Sequence, residues 1–235
     1  MGVLRSLKLL GGLCSVTVVE TVTLGVWLGL TLGMPTWALD RLPASAPRPT
    51  VLAAVVLGCG LLLAGVLTDV LVNGFRLRLP VHRIGLLVAF QGVLLTAWVF
   101  VAQYVGGIRG VALAGATLAL VSVLLHTVSV NVHAQRGLFD RLFRSGAVGV
   151  GLAETVGASV LLAFVTEPAL ALTKVPVAVQ ARIPALVLDY PAVIGVVVLS
   201  VALLFAHAMA VRLAIRSSRA RMTVREAVIE QLEWA

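Results

Sequence analysis

The sequence predicts an all-α membrane protein, a bundle of six transmembrane helices. Three observations support this prediction: 60% of the 235 residues are hydrophobic, only 12% are charged, and the mean hydropathy is +1.08. An ordinary soluble domain has roughly 25% charged residues, because its surface stays in contact with water. A soluble core of this size is too small to bury so much apolar surface, so lipid must cover much of this chain.

Six stretches are long enough to cross the hydrocarbon core, which requires about 20 mostly apolar residues in a helix. Polar segments, or segments rich in Pro and Gly, connect them. The predicted spans cover residues 9–33, 51–73, 84–105, 111–132, 146–166 and 192–212. The transmembrane domain then covers 1–215, and 216–235 is a short basic and amphipathic tail, in which a capping-box pattern at Thr223 and Glu226 predicts the start of a separate helix.

The positively charged residues predict the orientation of the bundle. Thirteen of the eighteen Lys and Arg residues fall in the segments on one side of the spans. Cytoplasmic loops carry an excess of Lys and Arg, so we expect a multi-pass protein of the cell membrane with both termini in the cytoplasm. The net charge of +8 therefore reflects topology and does not indicate a nucleic-acid partner.

Small residues within the spans suggest how the helices pack. Cys14 and Cys59 lack CxxC or Cys/His spacing, which predicts neither a disulfide nor a zinc site, and we expect them to be small packing residues. Gly25, Gly29 and Gly33 recur every four residues, which predicts a face that another helix approaches closely.

Aromatic residues cluster towards the predicted outer boundary. Trp27, Trp37, Trp98 and Tyr104 all lie there. Amphipathic rings are enriched at membrane interfaces, so these residues predict an aromatic belt that anchors the bundle.

A recurring pattern suggests that the bundle consists of three repeated helical hairpins. In each odd-numbered span a polar residue is followed seven positions later, about two helical turns along the same face, by a large apolar one. These pairs are Glu20 with Trp27, Gln91 with Trp98, and Glu154 with Leu161. The even-numbered spans carry Asp69, His126 and His207 at equivalent depths. A triplicated hairpin is a hypothesis, since internal repeats are a recognised way of building transporters.

Six polar side chains within the spans are the candidate functional residues. An ionisable side chain costs at least about 2.5–3.5 kcal/mol at mid-bilayer, so each of these must be compensated. All six lie in the cytoplasmic half of the membrane, with Glu20 somewhat deeper than the others, which predicts one polar cavity that opens to the cytoplasm. The six are Glu20, Glu154, Asp69, His126, His207 and Gln91.

The leading interpretation of this set is a proton or cation site in a transporter or permease. Histidine titrates near neutrality, so a carboxyl group beside it can exchange protons with it in the physiological range. Two alternatives stay open. One is a membrane-anchor subunit of a respiratory or other multisubunit complex, with haem b held by His126 and His207. The other is an intramembrane metalloenzyme, with a metal bound by Glu20, Asp69, His126, Glu154 and His207, although no ExxH or HxxxH spacing occurs.

A purely structural role is also open for part of the set. Asp69 and the two histidines lie close enough to the interface to reach water and fix helix depth. Gln91 is typical of a hydrogen bond between helices.

The remaining sequence features concern the cofactors and partners that the protein could have. No Walker-type loop, GxSxG or HExxH motif occurs, so the sequence requires no cofactor and gives no sign of nucleotide-driven transport or hydrolase chemistry. The basic, amphipathic loop 136–144 is a possible contact for a cytoplasmic partner, although a helix on the membrane surface explains it as well. The lipid bilayer is the expected environment, and homo-oligomers or other membrane subunits stay open.

Overall fold

A computed structural model describes residues 3–32, 49–72, 80–133 and 145–233. These residues are almost entirely helical and include no strand, which confirms the predicted all-α fold. The helices are α1 (Val3–Thr31), α2 (Pro49–Val72), α3 (Val81–Val105), α4 (Gly107–His133), α5 (Ser145–Thr166), α6 (Pro168–Thr173), α7 (Val177–Gln180), α8 (Ala185–Leu188) and α9 (Ala192–Glu233).

Six of these helices are long and apolar enough to cross a membrane. Their apolar spans are Leu7–Thr31, Thr50–Val72, His82–Val105, Gly107–Asn131, Gly146–Thr166 and Ala192–Arg216. Each span agrees with the sequence-based prediction to within four residues at either end. The protein is therefore a membrane-embedded bundle of helices.

The six spanning helices form a closed ring in chain order. Each packs against the next, and α9 closes the ring by packing against α1. Neighbours run antiparallel, as the close approaches of Gly12 to Leu71 and of Gly60 to Thr23 show for α1 and α2. Helix α9 also reaches across the ring to contact α2 and α4.

The two ends of the ring differ in charge. We call the end at which α1 and α3 begin the basic end, because Lys8, Arg83, Arg212 and Arg216 lie near it. The other end, at which α1 and α3 finish, is called the opposite end. The basic loop 136–144 lies outside the described residues.

Two glycines allow the tight connection between α3 and α4 at the opposite end. Gly106 and Gly107 have φ values of +74° and +56°, a region in which side chains with a Cβ are strained. Just beyond, a Cβ on Gly110 would lie 2.4 Å from the carbonyl oxygen of Ala102. Glycine is therefore needed both for the turn and for the close packing that follows it.

Close packing of the last hairpin also depends on glycine. A Cβ on Gly157 would lie 2.7 Å from the Cβ of Ala202, and a Cβ on Gly195 would lie 2.8 Å from the Cα of Leu161. The predicted close approach along the first span is wrong at Gly25, because no described atom lies within 4 Å of its Cβ position.

The main apolar core fills the half of the ring towards the opposite end. Trp27, Trp98 and Leu161, the three residues that follow the polar positions by two turns, all lie in this core and are at most 3% exposed. The predicted aromatic belt is therefore wrong for Trp27 and Trp98, which point inwards because they share a helix face with Glu20 and Gln91. Tyr104 is 82% exposed at the opposite end, and Trp37 lies outside the described residues.

Large apolar side chains cover the outside of the ring, as expected for a surface in contact with lipid. Examples are Phe90, Val93, Phe100, Leu120, Val201 and Phe205. Cys14 and Cys59 are also exposed and free, so the prediction that they are small packing residues is wrong.

Two segments outside the spans are also helical. The connection 167–191 forms the three short helices α6, α7 and α8. The capping-box pattern at Thr223 does not begin a helix, because α9 continues without a break from Ala192 to Glu233.

Candidate functional site

One buried carboxylate of the predicted set is paired with a histidine from the preceding helix. Glu154 on α5 is 7% exposed, and its Oε2 contacts Nε2 of His126 on α4. Ser122, one turn before His126, donates its hydroxyl to the same oxygen at 3.0 Å. Hydrogen bonds and a neighbouring imidazole are the partners that make a carboxylate tolerable away from water.

A second carboxylate–histidine pair joins the first and last spanning helices. Oε2 of Glu20 on α1 lies 3.0 Å from Nε2 of His207 on α9. Thr17, one turn before Glu20, places its hydroxyl 3.2 Å from Nδ1 of the same ring. With Glu20 ionised and the ring neutral, Nε2–H donates to the carboxylate and Nδ1 accepts from Thr17.

Both pairs border one cavity in the basic half of the ring. Its volume is about 80 Å³, and a water molecule needs at least about 10–15 Å³, so several waters fit. All six spanning helices contribute to its wall. Beyond the Glu and His level, the lining residues Ser129, Val150 and Ala210 all lie nearer the basic end, so the cavity extends in that direction.

The cavity includes five of the six candidate residues. Gln91 on α3 joins the two Glu and the two His in the wall. Asp69 on α2 is fully buried and has interaction partners, but it does not line the cavity, although its neighbour Thr68 does. The structure thus brings together Glu20, Gln91, His126, Glu154 and His207, and separates Asp69 from them.

Sequence reasoning missed two residues that complete the pairs. Thr17 lies three residues before Glu20, and Ser122 lies four residues before His126. Residues three or four apart share a helix face, so this spacing was a usable signal. A hydroxyl within an apolar span often bonds only to the carbonyl of its own preceding turn, as Thr23 and Thr127 do here, and that made Thr17 and Ser122 inconspicuous.

The positions of the candidate Glu, Asp and His side chains give little support to the haem and metal alternatives. Both ring nitrogens of His207 already have partners, so neither is left for a haem iron in this arrangement. Within the described part of the chain, no three His, Cys, Asp or Glu side chains are grouped so that they could hold a metal ion. The five residues suggested for a metal are thus divided between two pairs and Asp69.

The two pairs follow one geometric rule around the ring. Glu154 on α5 contacts the histidine of α4, and Glu20 on α1 contacts the histidine of α9, so each carboxylate pairs with the preceding helix of the ring. The equivalent positions of the third neighbouring pair, α3 and the preceding helix α2, carry Gln91 and Asp69. The triplicated-hairpin hypothesis stays a prediction, and both contacts obey the cyclic order that it requires.

Comparison with known protein families, curated proteins and solved structures finds no match for this chain. The function is therefore inferred from the residues of the site.

Proposed function

We propose that this protein is a proton- or cation-linked transporter, a multi-pass permease of the cell membrane with both termini in the cytoplasm. One observation carries the proposal. Two carboxylate–histidine pairs from four helices, Glu154 with His126 and Glu20 with His207, border a single cavity that has room for water.

The cavity distinguishes this arrangement from a purely structural one. Two ion pairs that only held helices together would be most stable with apolar side chains packed around them, because every exposed polar face in the membrane must be satisfied. Here all six helices leave space beside the pairs. Water in that space gives protons and ions a route to the carboxylates.

The residue types suit reversible proton binding. A histidine can take a proton from water near neutral pH and share it with a carboxylate in contact with it. An incoming cation competes for the same carboxylate, so that its binding releases the proton. Coupling of this kind needs the proton and the cation to use one site, which each Glu–His pair provides.

The bundle also has the asymmetry that a transporter needs. The cavity extends towards the basic end, whereas the core around Trp27, Trp98 and Leu161 seals the opposite half. Transport then requires a second conformation in which this core opens, as in alternating access. The positive-inside rule assigns the basic end, and with it both termini, to the cytoplasm.

Reconstituted protein offers a direct test. Liposomes with a pH-sensitive dye inside receive a panel of permanent or metal cations, namely Na⁺, K⁺, tetramethylammonium and tetraphenylphosphonium, and the internal pH is followed. We expect at least one cation to move protons in the wild-type protein. Glu20→Gln and Glu154→Gln reduce this signal to that of protein-free liposomes.

Glu167→Gln is the matched control, because this carboxylate lies at the start of α6 and does not border the cavity. It keeps wild-type proton movement. The proposal is wrong if no cation in the panel moves protons through folded wild-type protein, or if both cavity variants move them at the wild-type rate.

A further inference from the structure

A large apolar groove lies on the outside of the ring between α2 and α3. Its volume is about 830 Å³, within the range of about 300–1,000 Å³ that is usual for ligand pockets. These two helices form the most loosely packed neighbouring pair of the ring. They are close at Gly65 and Ile84 and leave the groove open further towards the opposite end, where small residues such as Ala54, Gly58 and Ala89 line it.

The groove and the polar cavity share a wall. Leu61 on α2 and Val88 on α3 line both spaces, so these two side chains separate them. The groove faces the lipid side of the bundle, and the cavity contains the Glu–His pairs. A molecule lying in the groove would reach the carboxylates by displacing two apolar side chains.

The charged side chains around the groove and the cavity favour a ligand with a positive charge. The described residues that line them include two carboxylates and two imidazoles, and no Lys or Arg. An anionic group such as a lipid phosphate would find no fixed positive charge there, whereas a cation would find Glu20 and Glu154. Trp27 also lines the groove, and indole is a side chain that attracts cations.

We infer that the substrate is an amphipathic organic cation that reaches the Glu–His cavity sideways from the bilayer, through the groove between α2 and α3. This inference rests on the proposed function and specifies the substrate class of the same site. Apolar parts of the molecule occupy the groove, and its positive charge approaches Glu20 or Glu154. The proton that the Glu–His pair had taken up is displaced by the cation and leaves through the cavity, so one positive charge replaces another.

The inference is tested by binding to the purified full chain in detergent, with tetraphenylphosphonium as the probe. We expect saturable binding with release of about one proton per cation, because one Glu–His pair exchanges its shared proton for one cation. Tetraphenylborate, which has the same shape and the opposite charge, does not bind. Glu20→Gln with Glu154→Gln weakens binding by on the order of 30-fold or more, the usual consequence of removing a buried charge partner.

A pair of glycine variants tests the route. Gly58 lines the groove and Gly85 does not, and no described atom lies within 4 Å of the Cβ position of either. The Cβ of Gly58→Leu meets no described atom of another helix and the side chain adds bulk at the groove wall, so we expect tetraphenylphosphonium binding to weaken by about tenfold, as expected for a loss of about 1.4 kcal/mol. Gly85→Leu is the matched control and binds as the wild type does.

The outcomes separate this inference from the proposed function. Proton movement in liposomes with Na⁺, K⁺ or tetramethylammonium, but no binding of tetraphenylphosphonium, overturns the amphipathic substrate and leaves the transporter. Equal binding by Gly58→Leu and Gly85→Leu overturns access through the groove. A change in oligomeric state of Gly58→Leu by light scattering, with unchanged binding, shows that the groove is an interface with a second copy and also overturns the inference.

Discussion

The two halves of the ring differ in the side chains that fill their interior. The basic half holds Glu20, His126, Glu154 and His207 beside a cavity with room for water. The opposite half is filled by a continuous apolar core that contains Trp27, Trp98 and Leu161. The same six helices build both halves, so the difference lies in which side chains face inwards at each level. It shows that the Glu and His side chains of the two pairs lie in one half of the bundle and contact one another there.

Water access should differ most sharply between the halves. In a chain with Cys14 and Cys59 replaced by Ala, Ala210→Cys in the cavity reacts with a membrane-impermeant thiol reagent, and Ala158→Cys in the apolar core does not. A thiol reacts as the thiolate, which forms only where water reaches it. The measurement is the fraction labelled over time in sealed vesicles of known orientation. Equal labelling at both positions would contradict the division into two halves.

Stability should respond strongly to a polar group in the apolar half. Leu162 is fully buried there, and Leu162→Asn is expected to lower the free energy of unfolding by about 3–5 kcal/mol, because it leaves both a cavity and an unsatisfied amide. Ala210 lines the cavity, and Ala210→Asn should change the free energy of unfolding by less than about 1 kcal/mol because water can satisfy the amide. Unfolding in mixed micelles measures both, and a small effect at Leu162 would show that the core is not tightly packed.

The two Glu–His pairs should each behave as a unit. Double-mutant cycles with Glu154→Gln and His126→Gln, and with Glu20→Gln and His207→Gln, are expected to give coupling energies of about 1–3 kcal/mol in unfolding. The cross cycle of Glu20 with His126, which make no direct contact in the structure, provides the control and should give a smaller value. Equal coupling in all three cycles would mean that the four side chains form a single network instead of two pairs.

Removing a buried hydroxyl group is expected to have different effects on stability in the two halves. Ser122 donates to Glu154, so Ser122→Ala should destabilise the protein by about 1–3 kcal/mol, as expected for a lost hydrogen bond to a charged group. The buried hydroxyl of Ser159, one turn beyond Thr155 towards the opposite end, has no hydrogen-bond partner. Ser159→Ala should leave the free energy of unfolding unchanged or raise it slightly. The same unfolding assay compares the two, and equal losses would contradict the assigned hydrogen bond.

Part of the site could be predicted from the sequence, because the energetic cost of a charged side chain in lipid limits the directions in which it can face. Glu20 and Glu154 could not face the bilayer, so their convergence inside a bundle followed from the energetics of burial. Which histidine each would meet did not follow, since depth along a helix leaves rotation about its axis open. Asp69 lies at the predicted depth yet does not border the cavity, which shows the limit of an argument from depth.

The sequence by itself determined that this is a six-helix membrane protein, because hydrophobic length and charge placement are local properties of the chain and lipid tolerates few alternatives. Only the tertiary structure decided which histidine each carboxylate contacts, namely His126 for Glu154 and His207 for Glu20. It also decided the inward position of Trp27 and Trp98 and the groove between α2 and α3. These features depend on how each helix is rotated and how closely it approaches its neighbours. The rotation of a helix about its axis is hard to predict from an apolar sequence, because in lipid the inner and outer faces of a helix are both apolar.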